Sequence, residues 1–198
     1  SGERVYLALA GGIDADLVLG SRSTQLREAF GGIEGRVVAT GDRLSASTTN
    51  LPVLPKTGLS VPMPPLRRDE SGDIVVRALE SAEHDSFDED AHKAFWSQPY
   101  TVTQLSNRQG YRLEGPVLNR SSAGELRSHG IVPGIVQVPG GGQPIIQLAD
   151  SATMGGYPKI ATIIEPDLWR VGQARAGDRL RFVKIPLADQ ATVFEEHA

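Results

Sequence analysis

The chain has 198 residues, a formal net charge of −4, 39% apolar and 22% charged residues, and no Cys. That composition suits a globular chain able to bury a core, and it excludes disulfides and thiolate metal sites. With no long basic stripe, no apolar run near the ~20 residues of a membrane span and no charged-then-apolar leader, neither nucleic acid nor a membrane is an expected partner, and a reducing, cytoplasmic setting is the natural expectation.

The 22 Gly and 13 Pro make up about 18% of the chain, above the usual combined share of roughly 12%. Many tight turns between short strands follow from this, not long helices. Residues Arg4–Ala10 (RVYLALA) are apolar on both faces, which predicts a buried strand. A short helical pattern between Gly20 and Gly32 and a strand at Arg36–Thr40 come next. From about Ser45 to Ser71, Pro52, Pro55, Pro62, Pro64 and Pro65 each lack an amide donor, so an extended crossing is expected there.

Ile74–Leu79 reads as a strand, and Ser86-Phe87-Asp88-Glu89 fits a capping box opening a helix. Phe87, Ala91 and Phe95 share one face of that helix, and Pro99 stops it. The acidic run Asp85–Asp90 reads as a negative first turn favoured by the helix dipole, since it lacks the periodicity of a calcium loop. Further strands are predicted at Tyr100–Leu105, Tyr111–Glu114, Ile131–Val138, Pro144–Ala149, Ile160–Glu165 and Arg179–Ile185. Short helices fit Pro166–Gln173 and Asp189–Glu196. This succession predicts a mainly β fold, a barrel or sandwich with a few short helices. Gly41-Asp42-Arg43-Leu44 recurs as Gly177-Asp178-Arg179-Leu180, either common turn chemistry or the echo of a duplicated barrel unit.

The densest unusual segment is Gly134–Ala161, with glycine clusters at Gly140-Gly141-Gly142 and Gly155-Gly156 beside apolar strands. Glycine lets backbone amides approach a ligand closely, but tight barrel turns need it too. Neither cluster is a P-loop, because no Ser or Thr follows Lys159. Gln137, Gln143, Gln147 and Asp150 lie in this segment, and Arg108, Arg112 and Glu114 form a second polar group. Among these and their neighbours, Arg108, Gln137, Gln143, Asp150, Tyr157 and Lys159 are the candidate substrate-binding residues. Arg108 and Lys159 would balance phosphate or carboxylate charge, and the two Gln could pair with an amide. The alternative is that all six pin barrel turns. No nucleophile elbow is present, and His84 and His92 stand eight apart, against the one-turn spacing of a helical metal pair; no metal site is expected, and the sequence singles out no residue as catalytic.

In order, RVYLALAGGID, LGSRST, GDRL, SNRQGYRLEGP, GIVPGIVQVPGGGQPI and AD-x-x-T-x-GGYPKIA followed by GDRLRF are similar to the KipA/PxpC-type pattern. That pattern marks the C-subunit branch of 5-oxoprolinase within the biotin-dependent carboxyltransferase domain family, often labelled allophanate hydrolase subunit 2. The resemblance implies cyclophilin-like β-barrel units, with residues 1–48 a remnant of a first unit, 49–72 a Pro-rich linker and 73–198 the second barrel. About a hundred upstream residues of the usual pattern are expected to be missing, which would leave the chain alone inactive. It also predicts exposed apolar surface on 1–48, able to recruit another chain, a second copy included. Two positions depart from the pattern: Asn107 stands where Asp is usual, and Thr153-Met154 where a Thr pair is usual.

The implied activity is ATP-dependent opening of 5-oxoproline to glutamate, together with a KipI-like B-type subunit and a LamB/YcsF-like A-type subunit. ATP is the implied cofactor in that complex. The alternative is a carboxyltransferase in a urea amidolyase system, the one case in which biotin is implied. A second alternative is a non-catalytic antagonist of a KipI-like kinase inhibitor.

Overall fold

The computed structural model describes residues 3–48, 50, 66–121, 124 and 126–189. The chain divides into two compact units, one of Val5–Met63 and one of Ser1–Arg4 with Pro64–Ala198.

In the larger unit, apolar residues at every second position make the strands. The first, β1 (Ile74–Glu80), fully buries Ile74, Val76 and Ala78. Helix α1 (Glu89–Ser97) follows, then β2 (Tyr100–Val102) and β3 (Gly110–Glu114). A two-residue strand β4 (His129–Gly130) precedes β5 (Ile135–Gln137) and β6 (Ile145–Gln147). The short β7 (Met154–Gly155), β8 (Lys159–Ile163), helix α2 (Glu165–Gln173) and β9 (Arg179–Lys184) complete it. Seven strands close into a barrel in the order β1-β8-β5-β6-β3-β2-β9, while β4 and β7 pair separately. Closure comes from the parallel β1–β9 pairing, which runs from Ile74 opposite Leu180 to Ala78 opposite Lys184. The expected mainly β barrel with few helices is therefore what forms.

The strands are shorter than their apolar runs. β2 stops at Val102 because the chain then turns, the Ser106 amide donating to the Thr103 carbonyl. Helix α1 starts two residues later than the proposed capping box. Its N-cap is Asp88, whose carboxylate accepts from the Ala91 amide at 2.7 Å. Ser86 instead closes a 3-10 turn, its hydroxyl donating to the Glu83 carbonyl. The expected helix face holds: Phe87, Ala91 and Phe95 are buried, and Phe95 stacks on Phe182 of β9 at 4.5 Å.

Helix α2 is tied to β1 by charge. Asp167 is fully buried and accepts from the Arg77 amide, Nε and Nη2 at 2.8, 3.0 and 2.8 Å, and Arg170 Nη1 lies 3.2 Å away.

The smaller unit is built from turns. Its described residues hold isolated bridges, Ile13 to Ala46, Asp16 to Gly32, Val18 to Ser21 and Gln25 to Phe30, and no regular strand or helix. The strands proposed at Arg4–Ala10 and Arg36–Thr40 and the helix proposed within 20–32 do not form. Apolar alternation stabilises a strand only when a neighbouring strand pairs its backbone, and Val5, Tyr6 and Leu7 stay 90%, 88% and 75% exposed. Exposed apolar surface on this segment is thus as expected, though not on a strand. The Pro-rich residues 51–65 and the helix proposed at 189–196, beyond Asp189, lie outside the described residues.

The repeated Gly-Asp-Arg-Leu makes the same turn twice. Gly41 and Gly177 have φ of 99° and 93°, a region that favours glycine. The Asp42 amide donates to the Ala39 carbonyl and its carboxylate accepts from the Ala39 amide; Asp178 does the same with Arg175. Hydrogen bonds from Arg36, then the Ala39 amide, draw the Asp42 carboxyl down to about 2. Beyond the turn the copies diverge, since Arg179 and Leu180 enter β9 whereas Arg43 and Leu44 enter no strand.

Candidate functional site

The six candidate residues fall into three places. Gln137, Tyr157 and Lys159 come together where β5 meets β8. Val136 pairs with Ala161, but Gln137 pairs with Lys159, so Ile160 is an extra residue and the ladder carries a bulge. Bulges re-aim side chains. Here Ile160 and Ala161, though consecutive, both join the apolar core, and Lys159 leaves the alternation. Gln137 is 3% exposed; its Nε2 donates to the Tyr157 carbonyl, and its Oε1 accepts from Gln147 Nε2 at 3.0 Å.

Three further residues complete this polar layer. Glu83 accepts from the Lys159 amide at 3.2 Å, and the Lys159 ammonium lies 3.9 Å from its carboxylate. His129 of β4 places Nε2 3.5 Å from the other carboxylate oxygen, while its Nδ1 lies 2.8 Å from the Arg127 carbonyl and so carries the hydrogen there. With Nδ1 fixed as donor, Nε2 can donate to Glu83 only in the imidazolium form. Gly155 of β7 lies over Gln137, and a Cβ there would come within 2.9 Å of Gln137 Nε2. The layer thus sets one cation, one carboxylate, one imidazole and two amides under the β4–β7 pair. Gln147 was visible in the sequence as a polar residue in an apolar strand. Glu83 carried no signal, because its turn has no motif that points at Lys159.

Arg108 and Asp150 form the second group, an ion pair of 3.0 Å between two largely exposed side chains at the open ends of β3 and β6. The Asp150 amide also donates to the Arg108 carbonyl. Asn107, at the position where Asp is usual, accepts from the Gln109 amide through Oδ1, a turn bond that an Asp carboxylate would also make.

Gln143 stands apart. Its Oε1 accepts from the Gly115 amide at 2.9 Å and its Nε2 donates to the Gly115 carbonyl at 3.0 Å. Both ends of the amide hold one backbone position, whose close approach to Tyr100 leaves no room for a Cβ. Gln143→Ala is expected to lower stability by about 1–3 kcal/mol, the cost of stranding half-buried backbone groups. Urea denaturation reads this directly, and an unchanged midpoint would mean the two bonds hold nothing.

Beside the polar layer an open concavity of about 290 Å³ is bordered by Arg120, Leu126, Val138, Gly140, Gly156 and Tyr157 among others. Tyr157, half exposed, projects at its rim. Among the described residues no group of three or more His, Asp or Glu is placed to hold a metal ion, and no helix is long and apolar enough to cross a membrane.

Comparison with known proteins gives the family of this barrel. The family described as carboxyltransferase domain, subdomain A and B, matches residues 1–184. The chain belongs to this carboxyltransferase domain family. It is 41% identical over 204 residues to the C subunit of 5-oxoprolinase from Escherichia coli, covering all of this chain and 63% of that protein. It is 40% identical over 186 residues to the C subunit of 5-oxoprolinase from Haemophilus influenzae, covering 94% of this chain and 57% of that protein. The chain thus spans about six tenths of the length of these relatives. Among solved structures, the urea amidolyase of K. lactis superposes with a TM-score of 0.79 at 27% identity, over 94% of this chain and 12% of that one. The bulge that joins Gln137 to Lys159 and the Gly155-Gly156-Tyr157-Pro158 turn lie within the residues that the family covers.

Proposed function

We propose that this chain is part of the C subunit of a bacterial ATP-dependent 5-oxoprolinase, which opens 5-oxoproline to L-glutamate together with a KipI-like B-type subunit and a LamB/YcsF-like A-type subunit. The observation that carries the reading is identity of 41% to a 5-oxoprolinase C subunit along the whole of this chain. A lactam amide is a poor electrophile. Phosphorylation of its oxygen by ATP makes a leaving group, so the protein must supply positioned donors and cations and needs no nucleophile of its own. The described layer contains such groups: Lys159 and His129 as donors or cations, and Gln137 and Gln147 as amides that pair with an amide. Arg108 and Asp150 form a separate, solvent-facing ion pair, where a carboxylate or phosphate could exchange for the Asp. The setting is cytoplasmic, where ATP is at hand.

The likeness to a urea amidolyase favours a second reading, carboxyl transfer to urea from carboxybiotin. Both substrates present a planar amide, and the polar layer suits either. The test is reconstitution of the full-length protein with its A- and B-type partners, following glutamate release and ATP hydrolysis with 5-oxoproline or urea. ATP-dependent glutamate release is expected, and this chain by itself should release none. Turnover stimulated by urea but not by 5-oxoproline would overturn the reading.

A further inference from the structure

The polar layer is covered in this structure. Gln137 and Lys159 are 3% and 9% exposed, a costly depth for an amide and an ammonium unless both are paired. The β4–β7 pair lies over them, two residues on each side and outside the closed barrel. Gly155 rests on Gln137 so closely that a Cβ would come within 2.9 Å of its Nε2. On the outer side Gly130 and Met154 are exposed. A two-stranded ribbon of this length has little stability of its own, so contacts with the barrel hold it in place. Ile131, which follows β4, is buried and apolar, a tie that pH does not alter. His129 supplies a charged tie, to Glu83.

That second tie depends on a proton. The His129 Nδ1 lies 2.8 Å from the Arg127 carbonyl and carries the hydrogen there. Its Nε2 is left facing one Glu83 oxygen at 3.5 Å, buried and with no hydrogen-bond partner among the described residues. In the neutral imidazole a lone pair meets the carboxylate, and the two repel. In the imidazolium an N–H meets it, and opposite charges attract at short range. Among the described residues, the charged groups that face His129 come from two other elements. Glu83 stands in the turn after β1. Lys159 of β8 holds the other Glu83 oxygen, with its amide at 3.2 Å and its ammonium at 3.9 Å. Each cation thus has its own carboxylate oxygen. Met154 and Gly155 of β7 and Gln137 of β5 do not titrate, and Arg127 turns its carbonyl to the ring.

We propose that the β4–β7 pair is a lid over the polar layer, latched to Glu83 by protonated His129 and released when His129 loses its proton. The latch is engaged at low pH, and its contribution is lost as pH rises through the range where histidine changes charge. Release uncovers Lys159 and Gln137. The latch itself stands on the geometry alone, and its use as a gate to substrate rests on the oxoprolinase reading.

Hydrogen exchange of the full-length protein, read by mass spectrometry and corrected for the intrinsic effect of pH, tests the latch without substrate. From about pH 5.5 to about pH 8.5, exchange in residues 127–132 and 153–157 should rise about tenfold or more, while that of β1 stays unchanged. In Glu83→Gln the rise should shrink to under about threefold, because an amide can accept from the imidazolium and donate to the neutral ring. In His129→Gln, whose amide donates at every pH, the lid should stay down and the rise should vanish. Wild-type exchange that does not follow pH, or a rise of undiminished size in either variant, overturns the latch. So does a rise spread equally over β1, which marks general loosening. If Glu83→Gln does not fold, wild type and His129→Gln decide it. Failure of the oxoprolinase reading looks different: the reconstituted complex then opens no 5-oxoproline, while exchange still follows pH and His129.

Discussion

Asp167→Ala should remove about 3–5 kcal/mol of folding stability, the usual cost of stranding a buried charge partner. Asp167 is fully buried, accepts three hydrogen bonds from Arg77 and lies 3.2 Å from Arg170. Deleting the carboxylate leaves two buried guanidinium groups facing each other across a void. The urea-denaturation midpoint measures the loss, and a change under about 1 kcal/mol would show that solvent reaches the pair. The same residue sets a pH dependence. Burial pushes the Asp167 carboxyl up, but hydrogen bonds from Arg77 and the charges of Arg170 and Arg77 outweigh it, and the net effect lowers it. A group depressed in the folded state contributes fully above its unfolded value, about 3.9 for Asp. Its contribution is lost as pH falls below that toward the folded value. Wild-type stability should therefore drop as pH falls below about 4, and Asp167→Ala should lack that part of the drop.

Lys159→Met should lower 5-oxoproline-dependent ATP hydrolysis of the reconstituted complex at least a hundredfold, about 2.7 kcal/mol of transition-state stabilisation. Removing one positioned donor from a developing oxyanion typically costs this much or more. Lys159 is 9% exposed and sits beside Glu83, so its charge acts in a site that largely excludes water. Methionine keeps the length of the stem, which limits the packing change. A melting temperature near wild type with lost activity supports the assignment. Full activity in Lys159→Met would remove Lys159 from the site and leave the layer a structural support for the β4–β7 pair.

Read from residues alone, the mainly β architecture, the buried face of α1, the place of Pro166 at the start of α2 and the doubled Gly-Asp turn were all legible. Each of these depends on residues a few positions apart, where sterics, capping and alternation act locally. The family pattern was legible for the same reason, as blocks of short-range spacing. Features that lie across the barrel had to wait for the folded chain. Arg4–Ala10 has the alternation of a strand, but its backbone has no strand to pair with among the described residues, and pairing is not encoded in one segment. The bulge at Ile160 arises from register between β5 and β8, and it brings Lys159 onto Gln137. Glu83 and Lys159 stand 76 residues apart, and His129 reaches the same carboxylate from a third segment. Cross-strand register and desolvation are properties of the closed barrel, so the site could be assembled only once the strands were in place.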